Sequence, residues 1–289
     1  MSFSLKLFSK TLVYKGSFSV AQLQANFKQI AAQDKQAEKK GKIYIAIAIV
    51  SSVAAFLAFI WAIETSVVML LPVLLVAVAI VTGGLGAYWS RLNVPNLRHQ
   101  LPTKLIDMLS RDMAKGALFN ARIDFSSSTH KSKQTTKEPW PAKPRWTQAF
   151  FADPWLRLSG QFLDHTQFEL TLTEIAVVRS GWQRSRSGKH KHKTKTKPKG
   201  AEVKLLLKFP RKKYGAVTIL RQADLESAVN LPTAVALKKI KVNDHQLLLQ
   251  AKVPPHGLNE NGFYTLFTQM LLSAYQVLNL SKALSKASG

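Results

Sequence analysis

The sequence contains no cysteine and few acidic residues. Without a thiol, the 289-residue chain can form neither a disulfide framework nor a thiolate metal site. Only 16 Asp and Glu oppose 41 Lys and Arg, which gives a formal charge of +25 at pH 7. A surface with this charge attracts polyanions over about a Debye length. Candidate partners are therefore anionic lipid headgroups, acidic proteins and nucleic acid.

The sequence also lacks the short motifs that mark common reactions. No phosphate-cradling glycine loop, HExxH, GxSxG or paired Cys-His constellation occurs. His190 and His192 alternate with lysines and have no adjacent carboxylate, so we predict no metal site there. The few carboxylates are scattered along the chain. We therefore expect a non-enzymatic protein without a cofactor.

Charge is absent from two long stretches of the chain. Residues 43–63 and 66–89 contain no Asp, Glu, Lys or Arg. Each is long enough to cross a hydrocarbon core of about 30 Å as a helix. Because only Glu64 and Thr65 separate them, we predict a transmembrane helical hairpin. No ionisable residue lies inside either stretch, which argues against an ion pathway formed by this chain alone.

The flanking charges predict the orientation of this hairpin. Residues 1–42 carry eight lysines against Asp34 and Glu38, and Arg91 and Arg98 follow the second stretch. Positive charge near membrane helices collects on the cytoplasmic side. We therefore predict a two-pass integral membrane protein with both termini in the cytoplasm, typical of the bacterial inner membrane.

Small residues recur along both apolar stretches at spacings of three and four. This spacing puts them on one face of each helix, where two backbones can approach closely. We predict that they pack the hairpin, and that self-association or contact with other membrane subunits is a second use of the same faces. The predicted packing residues are Ala48, Ser52, Ala55, Ala79, Gly83 and Ala87.

The segments beside the apolar stretches have weaker patterns. Within a cytoplasmic N-terminal segment, residues 1–42, positions 20–40 predict an amphipathic helix capped by Ser19. Residues 90–125 predict a juxtamembrane helix with Pro102 in its first turn. Residues 126–144 are rich in Ser, Thr, Lys and Pro and predict a mobile linker.

Residues 145–289 predict a cytoplasmic α+β domain. From Trp155 the apolar residues alternate with polar ones, which is typical of β-strands, and Asp164 with His165 marks a hairpin turn. Further strands are predicted at residues 203–209, at Val217 and Ile219, and at 237–242 and 246–253.

The C-terminal segment has a helical pattern instead. Residues 262–283 carry one apolar stripe, and Asn259 is a candidate cap. The predicted fold is thus α+β, with a two-helix transmembrane hairpin and an antiparallel β-sheet covered by a C-terminal helix.

The segment from Gly188 to Gly200 is the most unusual in the chain. It has the sequence GKHKHKTKTKPKG, so lysine occupies every second position. In an extended chain these side chains point the same way, about 6.6 Å apart. Because like charges repel, we predict an unpaired, solvated hairpin tip over residues 184–200. The candidate polyanion-binding residues are Arg184, Arg186, Lys189, Lys191, Lys193, Lys195, Lys197, Lys199, Arg211, Lys212 and Lys213.

These patterns leave several functions open. The favoured hypothesis is that the basic domain binds or scaffolds an acidic protein or an anionic lipid surface. One alternative is an accessory subunit of a membrane transport or envelope complex, and another is a membrane-tethered nucleic-acid binder. Few aromatic residues, among them Trp182 and Tyr214, lie close in sequence to the basic tract, too few for a base-stacking platform. A variable loop without a ligand is the simplest interpretation of the tract.

Overall fold

The computed structural model describes residues 3–65, 70–185, 187–215, 217–255 and 257–287. Arg186, a predicted binding residue, and positions 66–69 of the second apolar stretch lie outside these ranges. The chain forms two compact units. The hairpin unit comprises Phe3–Leu12 and Ala25–Pro95, and the sheet unit comprises Val13–Gln24 and Asn96–Gly289.

The architecture is mixed helix and sheet, as the sequence predicts. The α-helices are α1 (Leu5–Thr11), α2 (Val20–Thr65), α3 (Leu70–Leu92), α4 (Leu97–Ser110), α5 (Arg211–Tyr214), α6 (Gln222–Ser227) and α7 (Glu260–Ala287). The strands are β1 (Val13–Ser19), β2 (Leu118–Asp124), β3 (Gln134–Pro139), β4 (Trp146–Gln161), β5 (Gln167–Arg184), β6 (His190–Lys208), β7 (Ala236–Asn243) and β8 (Gln246–Val253).

Helix α2 joins the predicted amphipathic helix to the first apolar stretch without a break. Ser19 caps it as predicted: the Gln22 backbone N–H donates to Ser19 Oγ (3.4 Å), and the Ser19 N–H donates to Gln22 Oε1 (3.1 Å). This reciprocal pair is a capping box, which satisfies two otherwise unpaired backbone donors.

Helices α2 and α3 are long and apolar enough to cross a membrane. In the most apolar part of each helix, only 11% of the residues are buried. Large side chains such as Phe56, Ile80 and Val81 are more than 60% exposed. A core helix of a water-soluble protein buries most of such residues, whereas these two helices leave most of them exposed within the chain.

Glycines bring α2 and α3 into close contact. A Cβ atom added to Gly86 would lie 2.8 Å from Ile45 Cγ1, and one added to Gly41 would lie 3.3 Å from Ser90 Oγ. Asp34 of α2 also holds the segment that follows α3, because its buried carboxylate accepts the Val94 backbone N–H at 2.8 Å.

The predicted packing residues fall into two groups in the structure. Ala48 approaches the Cβ position of Gly83 at 3.9 Å, Ala55 is buried and Ala79 is half-buried. Ser52 and Ala87, in contrast, are exposed within the single chain, and Ser51 and Gly86 are buried in their place. A stripe of small residues two positions wide does not fix the rotation of a helix, so the sequence alone does not decide between neighbouring positions.

The sheet unit is built on one eight-stranded antiparallel sheet. Its strand order is β1-β2-β4-β5-β6-β8-β7, with β3 paired to the outer part of β4. One face is apolar: the cross-strand row of Ala121, Leu158, Leu170, Leu205 and Leu249 is at most 3% exposed. Helix α7 packs on β6 and β8, and α4 contacts both α7 and β4. Asn259 caps α7 as predicted, by accepting the Gly262 N–H at 2.8 Å.

Several predicted segments differ from the structure. The predicted linker 126–144 contains a 3-10 turn at Lys131–Lys133 and strand β3, because the polar side chains of β3 need only one strand partner and stay exposed. The predicted strand at Val217 and Ile219 is a 3-10 turn. Residues 90–125, predicted as a juxtamembrane helix, form helix α4 only over Leu97–Ser110, and their last part is strand β2. Strand β2 pairs with β1, which no local pattern indicates.

A buried ion-pair network holds the start of α4 to the sheet. Arg98, which the sequence suggests as a free flanking charge, is 3% exposed. Its Nη2 lies 2.7 Å from Asp153 Oδ2 and 2.8 Å from Glu174 Oε2, and its Nη1 donates to the carbonyls of Asp124 and Ser126 at 2.7 Å each.

Lys133, which lies in the predicted linker, is the second cation of this network. Its Nζ lies 2.9 Å from Asp153 Oδ1 and 3.1 Å from Asp124 Oδ2. Burial raises the pKa of the Asp124 carboxyl, but hydrogen bonds from Ser126 and the Lys133 ammonium outweigh that effect and hold the pKa below its usual range. Asp153 can occupy its buried position because a β-bulge between Asp153 and Leu156 turns it toward both cations.

Asp164, in the β4–β5 turn, is a second polar junction. Its carboxylate accepts hydrogen bonds from the Tyr214 hydroxyl, from the Tyr275 hydroxyl at 3.1 Å and from the Thr166 N–H at 2.9 Å. Burial raises the pKa of Asp164, but these hydrogen bonds hold it below the usual range for a carboxyl. Burial and the adjacent carboxylate raise the pKa of both tyrosine hydroxyls. The turn is thereby fastened to α5 and α7.

Replacing Asp164 by Asn should destabilise the sheet unit by about 1–2 kcal/mol at neutral pH, a value reduced for partial exposure. The pKa of Asp164 is lower in the folded than in the unfolded chain, so its contribution is present above about pH 4 and is lost as pH falls through the folded pKa. Thermal unfolding in detergent should therefore show a smaller difference in Tm between wild type and Asp164→Asn in acid than at pH 7. An equal difference in Tm at both pH values would contradict a stabilising role for the ionised Asp164 carboxylate.

Candidate polyanion-binding surface

The lysine tract is part of a paired strand, which corrects the prediction of an unpaired tip. Strand β6 begins at His190 and pairs with β5 from the Arg184↔His190 pair onward. The backbone ladder of a long hairpin compensates for repulsion between side chains that reach into solvent. The turn between the strands includes Ser185 and Lys189, whose backbone groups hydrogen-bond at 2.8 Å. We call residues 176–198 of this hairpin the basic ribbon.

Four of the six lysines form one row on the basic ribbon. Lys191, Lys193, Lys195 and Lys197 lie opposite Gln183, Gly181, Arg179 and Val177, respectively. All four are exposed. Lys189 lies in the turn, and Lys199 is the extra residue at a bulge, since Ile175 pairs with Gly200 and Ala176 with Pro198. The structure therefore orders four cations in line and separates two from them.

An aromatic cluster fixes the cation opposite Lys195. The Arg179 guanidinium lies 4.4 Å from the centroid of the Trp140 ring, and Trp140 meets Trp146 edge to face at 5.8 Å. Lys143 Nζ lies 5.0 Å from the Trp146 ring. Gly181 makes this arrangement possible, because a Cβ there would come within 2.5 Å of Trp146 Cγ. Both tryptophans are distant in sequence from the tract, so no local pattern indicates that they lie beside it.

The remaining candidates are divided between the two ends of β6. Arg184 pairs with His190 at the ribbon tip. Arg211, Lys212 and Lys213 lie in α5, beyond the other end of the 19-residue strand, on the order of 60 Å along the chain. Arg211 is also engaged, with Nη1 3.2 Å from Asp244 Oδ2. The structure does not bring α5 and the ribbon into one site.

The pairing register shows a second set of cations that sequence reasoning missed. A single cross-strand row runs over seven strands, on the face opposite the apolar core, and five of its seven members are basic. In order, the row is Lys15, Arg122, Arg157, Thr171, Lys204, Gln250 and Lys239. Six interstrand steps of about 4.8 Å make it about 29 Å long.

Most cations of this row are uncompensated. Arg157 Nη2 lies 2.9 Å from Glu169 Oε2. Within the ranges that the structure describes, Lys15, Arg122, Lys204 and Lys239 have no ion-pair partner. Like charges placed directly opposite each other on adjacent strands destabilise a sheet, as at Lys15 and Arg122. An external polyanion would relieve this repulsion.

The row and the ribbon lysines lie on the same face of the sheet. Strand β5 continues without interruption, so Thr171, Val177 and Arg179, an even number of residues apart, share a face. Lys204 pairs with Thr171 and Lys197 with Val177. We call this combined surface, made of the seven-strand row, Arg179 and the four ribbon lysines, the cationic face.

Comparison with known proteins gives no match to a protein-family model, to a curated protein or to a solved structure.

Proposed function

We propose that this chain is a non-enzymatic, two-pass membrane protein whose sheet unit binds anionic phospholipid headgroups through the cationic face. The hairpin unit crosses the bilayer and leaves both termini in the cytoplasm. The observation that carries the proposal is the strand pairing of the basic tract. Pairing turns a run of mobile lysines into a row of cations with fixed spacing, which can meet many headgroups at once.

The charge distribution supports the membrane part of this proposal. Both apolar helices have mostly exposed side chains, and lysines are numerous before α2 begins its charge-free stretch. Arg98 is buried within the sheet unit, so Arg91 is the exposed basic residue at the end of α3. The excess of positive charge on the side of both termini remains large and favours a cytoplasmic position for them.

Covalent connection to the bilayer favours lipid as the ligand. Only four residues separate the end of α3 at Leu92 from the start of α4 at Leu97. A short tether raises the effective concentration of the nearby leaflet for the sheet unit. Each lysine close to an anionic membrane contributes about 1 kcal/mol, so several weak contacts add up to stable binding.

Nucleic acid is the second candidate, and one observation favours it. Trp140 and Trp146 lie beside Arg179, which raises the number of aromatic residues near the cations above the sequence estimate. However, Trp146 is only 4% exposed and Arg179 occupies a face of Trp140. Base stacking needs free ring faces. A partner protein with an acidic surface, as in an accessory subunit of a transport or envelope complex, would use the same cations.

Energy transfer in nanodiscs tests the proposal with the full chain. Because the sequence has no cysteine, Ser187→Cys allows a single fluorophore at the ribbon tip. We expect stronger transfer to headgroup-labelled lipid in discs containing phosphatidylglycerol than in phosphatidylcholine alone, with reversal by salt. Equal transfer in both lipids would contradict lipid binding. Salt-sensitive binding of single-stranded RNA with no effect of lipid charge would support the nucleic-acid candidate instead.

A further inference from the structure

A cavity of about 820 Å³ lies within the hairpin unit, between α1, the middle of α2 and the end of α3. This volume is in the range of small-molecule sites. Its lining contains basic side chains, an amide and a group of aromatic and apolar side chains. These residues are Lys35 and Lys39, Gln33, and Leu5, Tyr88 and Trp89.

Two cations stand on one side of this cavity. Lys35 and Lys39 are four residues apart in α2 and therefore project from the same side of the helix. Both are exposed, and neither has an ion-pair partner in the part of the chain that the structure describes. The neighbouring carboxylate is occupied, because Glu38 Oε1 lies 2.6 Å from Lys42 Nζ. The pair is free to bind a phosphate.

Gln33, which lines the same cavity, carries a buried acceptor. Gln33 Nε2 donates to Ser9 Oγ at 2.6 Å, and Ser9 Oγ donates to the Leu5 carbonyl at 2.9 Å. Since the serine proton is used, its oxygen must accept from the Gln33 amide, which fixes the orientation of that amide. Gln33 Oε1 is then buried without a hydrogen-bond donor among the described residues. Such an atom needs a donor, and because Gln33 lines the cavity, a ligand hydroxyl that reaches the amide would supply it.

The third part of the lining is aromatic and apolar. Tyr88 and Trp89 end α3, and amphipathic rings are enriched at the headgroup level of membranes. Lys40 Nζ lies 4.4 Å from the Trp89 ring centroid, which orients that ring. Leu5 of α1 adds an apolar wall suited to an acyl chain.

Lys39 and the rings of Tyr88 and Trp89 occupy the same level of the hairpin, and Gln33 lies about 9 Å before Lys39 along α2. Lys39 precedes the charge-free stretch by four residues and Trp89 precedes Arg91 by two. The close approach of Gly41 to Ser90 shows that these ends of α2 and α3 lie together. In a bilayer spanned by the hairpin, the Trp89 end of the cavity is therefore at the boundary between headgroups and acyl chains, and the Gln33 end lies on the water side of it.

We propose that this cavity binds one molecule of an anionic, hydroxylated phospholipid such as phosphatidylglycerol. The phosphate contacts Lys35 and Lys39, a headgroup hydroxyl donates to Gln33 Oε1, and an acyl chain lies against Leu5 and the rings of Tyr88 and Trp89. This inference rests on the membrane placement proposed above, but not on the cationic face.

Native mass spectrometry of the full chain, released from nanodiscs of mixed phosphatidylglycerol and phosphatidylcholine, tests this inference. We expect one retained phosphatidylglycerol per chain, and at least a tenfold loss of retention in Lys35→Gln/Lys39→Gln. Gln33→Leu should reduce the preference for phosphatidylglycerol over phosphatidic acid, which lacks the headgroup hydroxyls. The control Lys6→Gln/Lys28→Gln removes the same charge from exposed positions outside the lining and should retain the lipid.

The outcomes separate this inference from the proposed function. Unselective lipid retention, or unchanged retention in Lys35→Gln/Lys39→Gln, would overturn the cavity assignment alone. Displacement of the lipid by inorganic phosphate alone would also overturn it, since the site would then recognise a free anion. Failure of the chain to enter nanodiscs would overturn both proposals. If the cavity retains its lipid but energy transfer shows no binding of the basic ribbon to anionic lipid, only the proposed role of the cationic face is overturned.

Discussion

The Arg98→Met variant is expected to lose about 3–5 kcal/mol of unfolding free energy, the usual cost of breaking a buried ion pair by removing one partner. Methionine preserves much of the side-chain volume but removes four hydrogen bonds at once, two to carboxylates and two to carbonyls. Asp153, which is fully buried, would retain only Lys133 as a counterion. Urea unfolding of the full chain in detergent measures the loss, and tryptophan fluorescence can follow it, because Trp155 is fully buried and lies 5.3 Å from Arg98.

A matched control uses another Arg–Glu pair of the sheet unit. Arg157 and Glu169 are 2.9 Å apart, but the arginine side chain is 56% exposed. Arg157→Met should therefore change the unfolding free energy by less than about 1 kcal/mol. Equal effects of Arg98→Met and Arg157→Met would show that the buried network contributes nothing beyond a surface pair.

Neutralising the ribbon row should abolish lipid-dependent docking of the sheet unit. In the variant with glutamine at Lys191, Lys193, Lys195 and Lys197, four contributions of about 1 kcal/mol each disappear, so docking to phosphatidylglycerol should weaken by a hundredfold or more. Fold stability should not fall, because the backbone ladder of β5 and β6 is unchanged and repulsion within the row is reduced. The energy-transfer measurement with Ser187→Cys reports the docking.

The control for this experiment removes equal charge elsewhere. Glutamine at Lys28, Lys115, Lys131 and Lys282 lowers the net charge by the same amount outside the cationic face. That variant should keep most of the lipid-dependent signal. If both sets weaken docking equally, net charge rather than the ordered row drives the attraction, and the argument from strand pairing is wrong.

The elements that sequence analysis predicted well have local causes. The β4–β5 hairpin follows from period-two alternation around Asp164, and β7 with β8 follows from the same pattern around Asn243. The start of α2 and the start of α7 follow from Ser19 and Asn259, whose side chains bond within the next turn. Each of these features is determined by residues close together in the chain.

The elements that sequence analysis missed depend on distant partners. Strand β1 pairs with β2 about a hundred residues later, and no local pattern specifies that register. Lys133 lies in a segment whose composition suggests a linker, yet it is buried because Asp124 and Asp153 reach it from two strands. The basic row across the sheet is formed by residues of seven strands, so it can be recognised only when the order and register of those strands are known. The lysine tract itself was visible in the sequence, but its pairing with β5 was not.

The insertion of α2 and α3 across a membrane is the claim on which the other proposals depend. The absence of native cysteine allows single-cysteine variants to report the side of the membrane, at Lys10, Glu64 and Ser187. Labelling of intact cells with a membrane-impermeant maleimide should modify only Glu64→Cys, and permeabilised cells should show all three. Labelling of Lys10→Cys or Ser187→Cys in intact cells, or recovery of the protein in the carbonate-washed aqueous fraction, would contradict the account.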